Sequence, residues 1–458
     1  MRDKMKHIEI KELQKQRFDA YVAHTRSPAA SYFGAEIGWY ANEIETVLGV
    51  ILLDAVDNDF AAVVLGRDEH GAFRAFDEMA SFPTVDEATQ WLRRTIIWHT
   101  GQNKVIFPQG GDKTGIDLFQ PVVPAERLHP NFVNLINSPA FLPARSILNE
   151  IATLFVDIDG SFVEQFQTGG FDSRLWELYI QSYLAEEGLF INRDYHAPDF
   201  KVTKYGKSVS IEAVIVGRST SNPARYFGQP KPLPAAEEIL NSHLHEMPIR
   251  FGSPLFSKLK KEYWKLDHVV GNPLVFAIAD FHDSQSMTWS GTALINYLYG
   301  VRHDFHHDKD GKLIISPIAL DTHKSGEKEI PSGYFFQPDA ENISAVLFSA
   351  SGTISKFNRM GRQAGFKHPD VVMMRIGMAH DFDPDSSLPM QFSYEVDESS
   401  TETWGEGLSM FHNPNALYPA PQELFPTIAH HRFVDGQIVS ILPEFHPYMS
   451  FTHNLIKK

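Results

Sequence analysis

The chain has 458 residues, of which 43% are hydrophobic and 12% aromatic, so it can bury about two or three domain cores and is not disordered. It contains no cysteine, which excludes disulfide scaffolds, thiolate metal sites and cysteine nucleophiles. The formal net charge of −16 argues against binding of nucleic acid over the whole surface.

Residues 171–270 differ in charge from the rest of the chain. They carry thirteen Lys and Arg against twelve Asp and Glu. Counterion release needs only a local basic track, so a nucleic-acid substrate bound through this region remains open.

The sequence shows no membrane or export signal. No apolar run approaches the roughly 20 residues that a membrane span needs. Residues 1–18 are charged and lack the apolar core of a signal peptide. Together with the absence of cysteine, this predicts a cytoplasmic protein without a membrane partner.

Residues 1–145 are predicted to form a separate α+β region. Thr84 and Glu87 have capping-box spacing at the start of a helix. A proline-rich run at 121–143 marks the boundary of this region. Three β-like runs separated by turn residues predict an antiparallel meander at residues 47–53, 61–67 and 72–78.

A helix followed by three strands is predicted from residue 171 onward. Asp172 can cap the helix and Gly188 can end it. The apolar residues show the i, i+3, i+4 spacing of an amphipathic helix at Leu175, Trp176, Tyr179, Ile180, Tyr183 and Leu184. The β-like runs cover residues 189–193, 200–204 and 209–216, with Tyr205-Gly206-Lys207 as the turn between the last two.

Two carboxylates are expected to meet on these strands. Glu212 lies in the middle of an apolar run, where an unpaired charge is costly. Asp199 opens the preceding strand, and hairpin pairing brings it close to Glu212. Paired carboxylates on adjacent strands predict a site for a hard divalent cation.

A basic helix at residues 253–266 and an apolar strand at 273–281 are predicted next, after a long proline-containing insertion at 219–249. Lys258, Lys261 and Lys265 share one face of the predicted helix. That face is either solvated or a nucleic-acid-binding face that contacts phosphates.

The order αβββαβ with Pro198-Asp199 and Glu212-Ala213-Val214 resembles the PD-(D/E)xK nuclease superfamily, which has the restriction-endonuclease-like fold. The resemblance covers roughly residues 150 to 285. It implies an α/β domain at 146–285 with a mixed sheet core. The sequence on either side of this domain predicts α+β regions at 1–145 and 286–458.

The resemblance also implies a chemistry. Asp199, Glu212 and the carbonyl of Ala213 are expected to bind Mg²⁺ or Mn²⁺, with Glu177 on the first helix nearby. The expected activity is metal-dependent hydrolysis of phosphodiesters in nucleic acid, in the first place DNA. The alternative is a catalytically inactive nuclease-fold module that binds nucleic acid or a protein partner, as a homodimer or in a larger assembly.

The sequence departs from the family pattern at Val214, where the motif has a lysine. Lys201 is the favoured substitute, because strand period places it on the face of Asp199. Lys258 or Lys261 could instead reach the site from the following helix. Glu212 could also form a buried ion pair with a lysine such as Lys201, without a catalytic role.

Two further patterns lie in the C-terminal region. His303 and His307 have the i, i+4 spacing of a zinc pair if they lie on a helix, which would suit a different hydrolase. A strand at 345–348 followed by Lys356, Arg359 and Arg362 predicts either a phosphate cradle or, preferably, a solvated basic helix face.

Overall fold

The computed structural model describes residues 8–110, 115–218, 235–283 and 286–457. The α-helices are α1 Lys15–Val22, α2 Ala30–Phe33, α3 Val85–Gly101, α4 Pro130–Asn137, α5 Leu142–Ala152, α6 Phe162–Gln167, α7 Phe171–Glu186, α8 Ala236–Leu244, α9 Glu246–Leu259, α10 Gly291–Tyr299 and α11 Ile354–Gln363. The strands are β1 Ile10–Glu12, β2 Gly34–Asn42, β3 Val47–Asp54, β4 Phe60–Arg67, β5 Phe73–Phe82, β6 Phe190–Asn192, β7 Phe200–Lys204, β8 Lys207–Val216, β9 Leu274–Asp280, β10 Val301–His307, β11 Leu313–Ala319, β12 Thr322–Ser325, β13 Lys328–Pro331, β14 Ala345–Ser349, β15 Val371–Ala379, β16 Met390–Glu395, β17 Leu408–His412, β18 Ala429–Val434, β19 Gln437–Ile441 and β20 Pro447–Ile456.

Two predicted elements of the N-terminal region are observed, but the region is not separate, because Phe132 and Leu135 belong to the same core as α7 and the predicted boundary at residue 145 lies inside α5. Strands β1 to β5 form one antiparallel sheet in chain order, and α3 packs against it through Leu92 and Ile96. At the start of α3, the N–H of Glu87 donates a hydrogen bond to Thr84 Oγ1 over 3.3 Å. The predicted meander and capped helix are therefore confirmed.

The largest sheet has the order β19-β18-β17-β14-β9-β8-β7-β6. Strands β8, β9 and β14 are parallel neighbours, whereas β6, β7 and β8 pair antiparallel. The predicted mixed sheet is confirmed at this general level. The predicted boundary at residue 285 does not separate two sheets, because β14, β17, β18 and β19 extend the sheet that begins with β6.

Helices cover both faces of this sheet. On one face, Trp176 of α7 is buried and its Nε1 donates to the carbonyl of Ala277 over 2.9 Å. On the other face, Phe251 and Leu255 of α9 join the apolar core. Every residue of β9 is buried, as expected for a strand that is covered on both sides.

The predicted basic helix at 253–266 is wrong in its second half. Helix α9 begins at Glu246 and ends at Leu259, and Glu262 has the left-handed φ of 51° that breaks the helical path. Lys261 therefore lies in a turn, and Lys265 lies in a short 3₁₀ helix, Tyr263–Lys265. Of the predicted insertion at 219–249, residues 219–234 lie outside the described residues, and the remainder contributes α8 and the start of α9.

The segment containing His303 and His307 is strand β10, which pairs with β11. Four residues along a strand span about 13 Å, so the helical spacing for zinc is not formed. Gly311 lies in the turn between these two strands with a φ of 79°, and a turn with positive φ favours a hairpin over a helix here.

In the described parts of the chain, none of the helices combines the length and the apolar character needed to cross a membrane.

Candidate active site around Asp199 and Glu212

The hairpin of β7 and β8 brings the two predicted carboxylates together. Its register pairs Phe200 with Ile211, so Asp199, directly before β7, faces Glu212. The N–H of Ala213 donates to Asp199 Oδ2 over 2.7 Å. The turn is the predicted one, with Tyr205 and Gly206 at φ values of 53° and 72°, as in a two-residue hairpin loop.

Glu212 is held by two residues from the α9 side of the sheet. Lys258 Nζ donates to Glu212 Oε1, and Tyr263 Oη donates to the same oxygen over 2.7 Å. Glu212 Oε2 is buried and has no hydrogen-bond partner among the described residues. One oxygen of this carboxylate is thus fixed, and the other is without a donor.

Glu177 approaches Asp199 from α7. Arg174 Nη1 donates to Glu177 Oε1 over 2.6 Å, and Arg193 Nη2 lies 3.5 Å from Oε2. Burial raises the pKa of Glu177 despite these two cations. Glu177 and Asp199 line a cleft of about 30 Å³ together with Asp157, Asp159 and His196. Glu212 is not among the described residues that line this cleft.

The pKa of Asp199 is raised strongly above its ordinary value. Burial raises its pKa to about 8, and the neighbouring charges of Glu212 and Glu177 act in the same direction. At neutral pH the isolated chain therefore holds a proton on Asp199. A bound cation would favour the ionised form instead.

The lysine that hydrogen-bonds to Glu212 is Lys258, whereas Lys201, the favoured substitute, stays a prediction. Lys201 lies opposite Ser210, two residues along the hairpin from Glu212, and its Nζ is 6.0 Å from the centroid of the Tyr195 ring. Lys258 is in the last turn of α9, from which its long side chain reaches down to the sheet.

The other two predicted phosphate-contacting lysines do not share a helix face with Lys258. Lys265 pairs with Glu262 over 2.7 Å at the surface, and Lys261 is exposed in the turn. The continuous basic face predicted from the sequence is therefore wrong.

The donor set can be tested against the predicted metal. Within the described ranges, no three His, Asp or Glu side chains lie close enough to hold one ion, so Glu177, Asp199 and Glu212 do not form a ready three-carboxylate site. Mg²⁺, however, usually keeps several waters and binds through one or two carboxylates. Asp199 and Glu212, with the unpartnered Oε2 of Glu212, fit that mode. Glu177 and the carbonyl of Ala213 remain predicted ligands.

Sequence reasoning missed a second charged cluster, which involves the basic residues of α11. Lys356 Nζ lies 2.6 Å from Glu402, Arg359 Nε lies 2.7 Å from it, and Arg375 Nη1 lies 3.5 Å from it. Lys356, Arg359 and Arg362 are buried, so the solvated face predicted for α11 is wrong. A phosphate cradle is not formed either, because Lys356 and Arg359 both donate hydrogen bonds to the carboxylate of Glu402.

Comparison with models of protein families, with curated proteins and with solved structures finds no match for this chain.

Proposed function

We propose that this chain is a metal-dependent phosphodiesterase that acts on nucleic acid. The observation that carries the proposal is the register of β7 and β8, which sets Asp199 opposite Glu212. Lys258 donates a hydrogen bond to the carboxylate of Glu212. Two carboxylates at adjacent strands and one lysine beside them are the groups that the PD-(D/E)xK resemblance requires, although Lys258 comes from helix α9 and not from a strand. Lys258 supplies the charge that Val214 lacks.

Asp199 and Glu212 would hold the Mg²⁺ or Mn²⁺ ion. When bound, such an ion polarises the scissile phosphate and lowers the pKa of the attacking water. Lys258 stabilises the negative charge that develops on the phosphate oxygens. Tyr263 orients Glu212 through the 2.7 Å hydrogen bond, and Arg174 keeps Glu177 in place beside Asp199.

Lys258→Met is expected to lower the rate of hydrolysis by about 10²- to 10³-fold, because one charged donor to the transition state is removed. Lys201→Met is the matched control and is expected to stay close to the wild-type rate. The measurement is cleavage of single- and double-stranded DNA and RNA with Mg²⁺ or Mn²⁺. Equal loss in both variants would contradict the assignment of Lys258.

A rescue variant makes this test independent of folding. Val214 shares the face of β8 with Glu212, two residues away, which is the motif position for the lysine. Val214→Lys combined with Lys258→Met is expected to recover activity. If Lys258 only stabilised the fold, the double variant would gain melting temperature without gaining hydrolysis.

An inactive module is the second candidate function. It is favoured by the engagement of Glu212 with Lys258 and Tyr263, and by the small volume of the cleft, about 30 Å³. Such a module would bind nucleic acid or a protein partner without chemistry. Wild-type protein that binds nucleic acid and cleaves none of the four substrates under either metal would establish this alternative.

A further inference from the structure

A cavity of about 610 Å³ lies beside the carboxylate cleft. Its walls come from the segment after α1, the C-terminal part of α7 and strand β6. Arg193 lines both the cavity and the cleft, and Glu177 and Asp199 are also in the lining of the cleft. The volume is typical of pockets for small molecules, whereas the cleft is large enough only for a water molecule or an ion.

The charges of the wall argue against a polyphosphate ligand. Cations and carboxylates balance in number, as Arg26, Arg193 and Lys204 against Glu186, Glu187 and Asp194. Arg26 is already bound to Asp19 and Glu36, at 2.6 Å each. Lys204 donates to the backbone carbonyl of Glu187 over 2.5 Å. Few positive charges are therefore left to hold phosphate groups.

Three polar side chains of the wall have atoms without hydrogen-bond partners within the described part of the chain: His24 Nδ1, Gln181 Oε1, and Nε and Nη1 of Arg193. The side chain of Arg193 is only 10% exposed. Burial lowers the pKa of His24 to about 4, so its ring is neutral at pH 7 and can either donate or accept. Buried polar atoms without partners are costly, and His24 Nδ1 and Gln181 Oε1 lose no hydrogen bond on turning toward a ligand. Arg193 is different, because its Nη2 lies 3.5 Å from Glu177 and its guanidinium packs over Phe155 and Phe200.

The remaining wall is mostly apolar and includes Leu154, Val156, Leu189 and Ile191, with Ser27, Ser31 and Asn192 as further polar residues. An amide, an imidazole and a guanidinium set among apolar side chains match a flat heterocycle that has donors and acceptors on its edge. Nucleobases are bound in this way, between apolar side chains and with hydrogen bonds to their edges.

We propose that this cavity binds a nucleobase, and that Gln181, His24 and Arg193 contact its edge. The proposal rests on the proposed function, since an unpaired base here would place the adjoining phosphate near Asp199. The base could belong to a nucleotide within a nucleic-acid strand or to a free mononucleotide.

Binding is measured at equilibrium without divalent cations, so the result does not depend on hydrolysis. The probes are AMP, GMP, CMP and UMP, a labelled single-stranded oligonucleotide, and the same oligonucleotide with one abasic position. Tighter binding of the intact strand than of the abasic strand identifies a base of the strand as the ligand. Binding of a mononucleotide that competes with the strand identifies free nucleotide as a second source.

Gln181→Leu is expected to weaken this binding about tenfold, because the edge contact is lost. It should still fold, since it removes a buried oxygen that has no partner within the described chain. Ala185→Phe fills the cavity and is expected to abolish binding. Gln102→Leu, at an exposed position after α3, is the matched control and should change nothing.

Binding of nucleotides or strand that is unaffected by both cavity variants would overturn the proposal, as would no binding of any probe. A chain that hydrolyses nucleic acid but fails these tests refutes the cavity ligand alone. A chain that passes them without hydrolysing anything keeps the cavity ligand and refutes the proposed function.

Discussion

Replacing Glu402 by Gln is expected to lower the free energy of unfolding by about 3–5 kcal/mol, the typical cost of removing one partner from a buried ion pair. Glu402 and its three cationic neighbours Lys356, Arg359 and Arg375 each have a side-chain exposure of 1% or less. Burial alone would raise the pKa of Glu402, but the charges of Arg359, Lys356 and Arg375 hold it well below its ordinary value. The neutral amide leaves these cations without their shared carboxylate.

The expected loss for Glu402→Gln is measured by urea unfolding at neutral pH. The matched control is Glu398→Gln, which breaks the exposed ion pair with Lys367 and should cost no more than about 1 kcal/mol. The stability that Glu402 contributes is present above its unfolded pKa and is lost as the pH falls through its lower folded pKa. A similar loss of unfolding free energy in the two variants would mean that burial does not strengthen the ion pairs of Glu402.

Asp199→Asn is expected to abolish hydrolysis while raising the stability of the metal-free protein at pH 8. The pKa of Asp199 is raised in the folded state to about 8, so the folded chain binds this proton more tightly than the unfolded chain. Stability from this group is full below its ordinary pKa of about 3.9 and is lost as the pH rises toward 8. The neutral amide avoids that loss, because it carries no charge beside Glu212 and Glu177.

The check is Tm against pH for wild type and Asp199→Asn, with and without Mg²⁺. The Tm difference in favour of the variant should grow from pH 4 to pH 8 without metal. Mg²⁺ should raise the Tm of the wild type at pH 8 and leave the variant unchanged. Asp194→Asn, at an exposed carboxylate near the site, is the control and should follow the wild type. A Mg²⁺ response retained by Asp199→Asn would exclude Asp199 as a ligand.

Local sequence determined the elements that carry the candidate site. The apolar residues from Leu175 to Leu184 have helical spacing, which is a local property of a few turns of chain, and this segment forms helix α7. The pairing of Asp199 with Glu212 was predictable for a similar reason. A short turn at Tyr205-Gly206 fixes the register of β7 and β8, and register decides which residues face each other.

Tertiary structure decided which charges meet. Lys258 is separated from Glu212 by 46 residues, and it reaches that carboxylate because α9 docks over β8 and ends at Leu259. The same separation of 46 residues lies between Lys356 and Glu402. Charge patterns along one helix do not identify a distant partner. The sequence therefore left the face of Lys258 open between solvation and contact with phosphates, and it favoured a solvated face for α11. The physical reason is that a buried charge depends on a partner brought by packing, whereas periodicity and turn chemistry act between near neighbours.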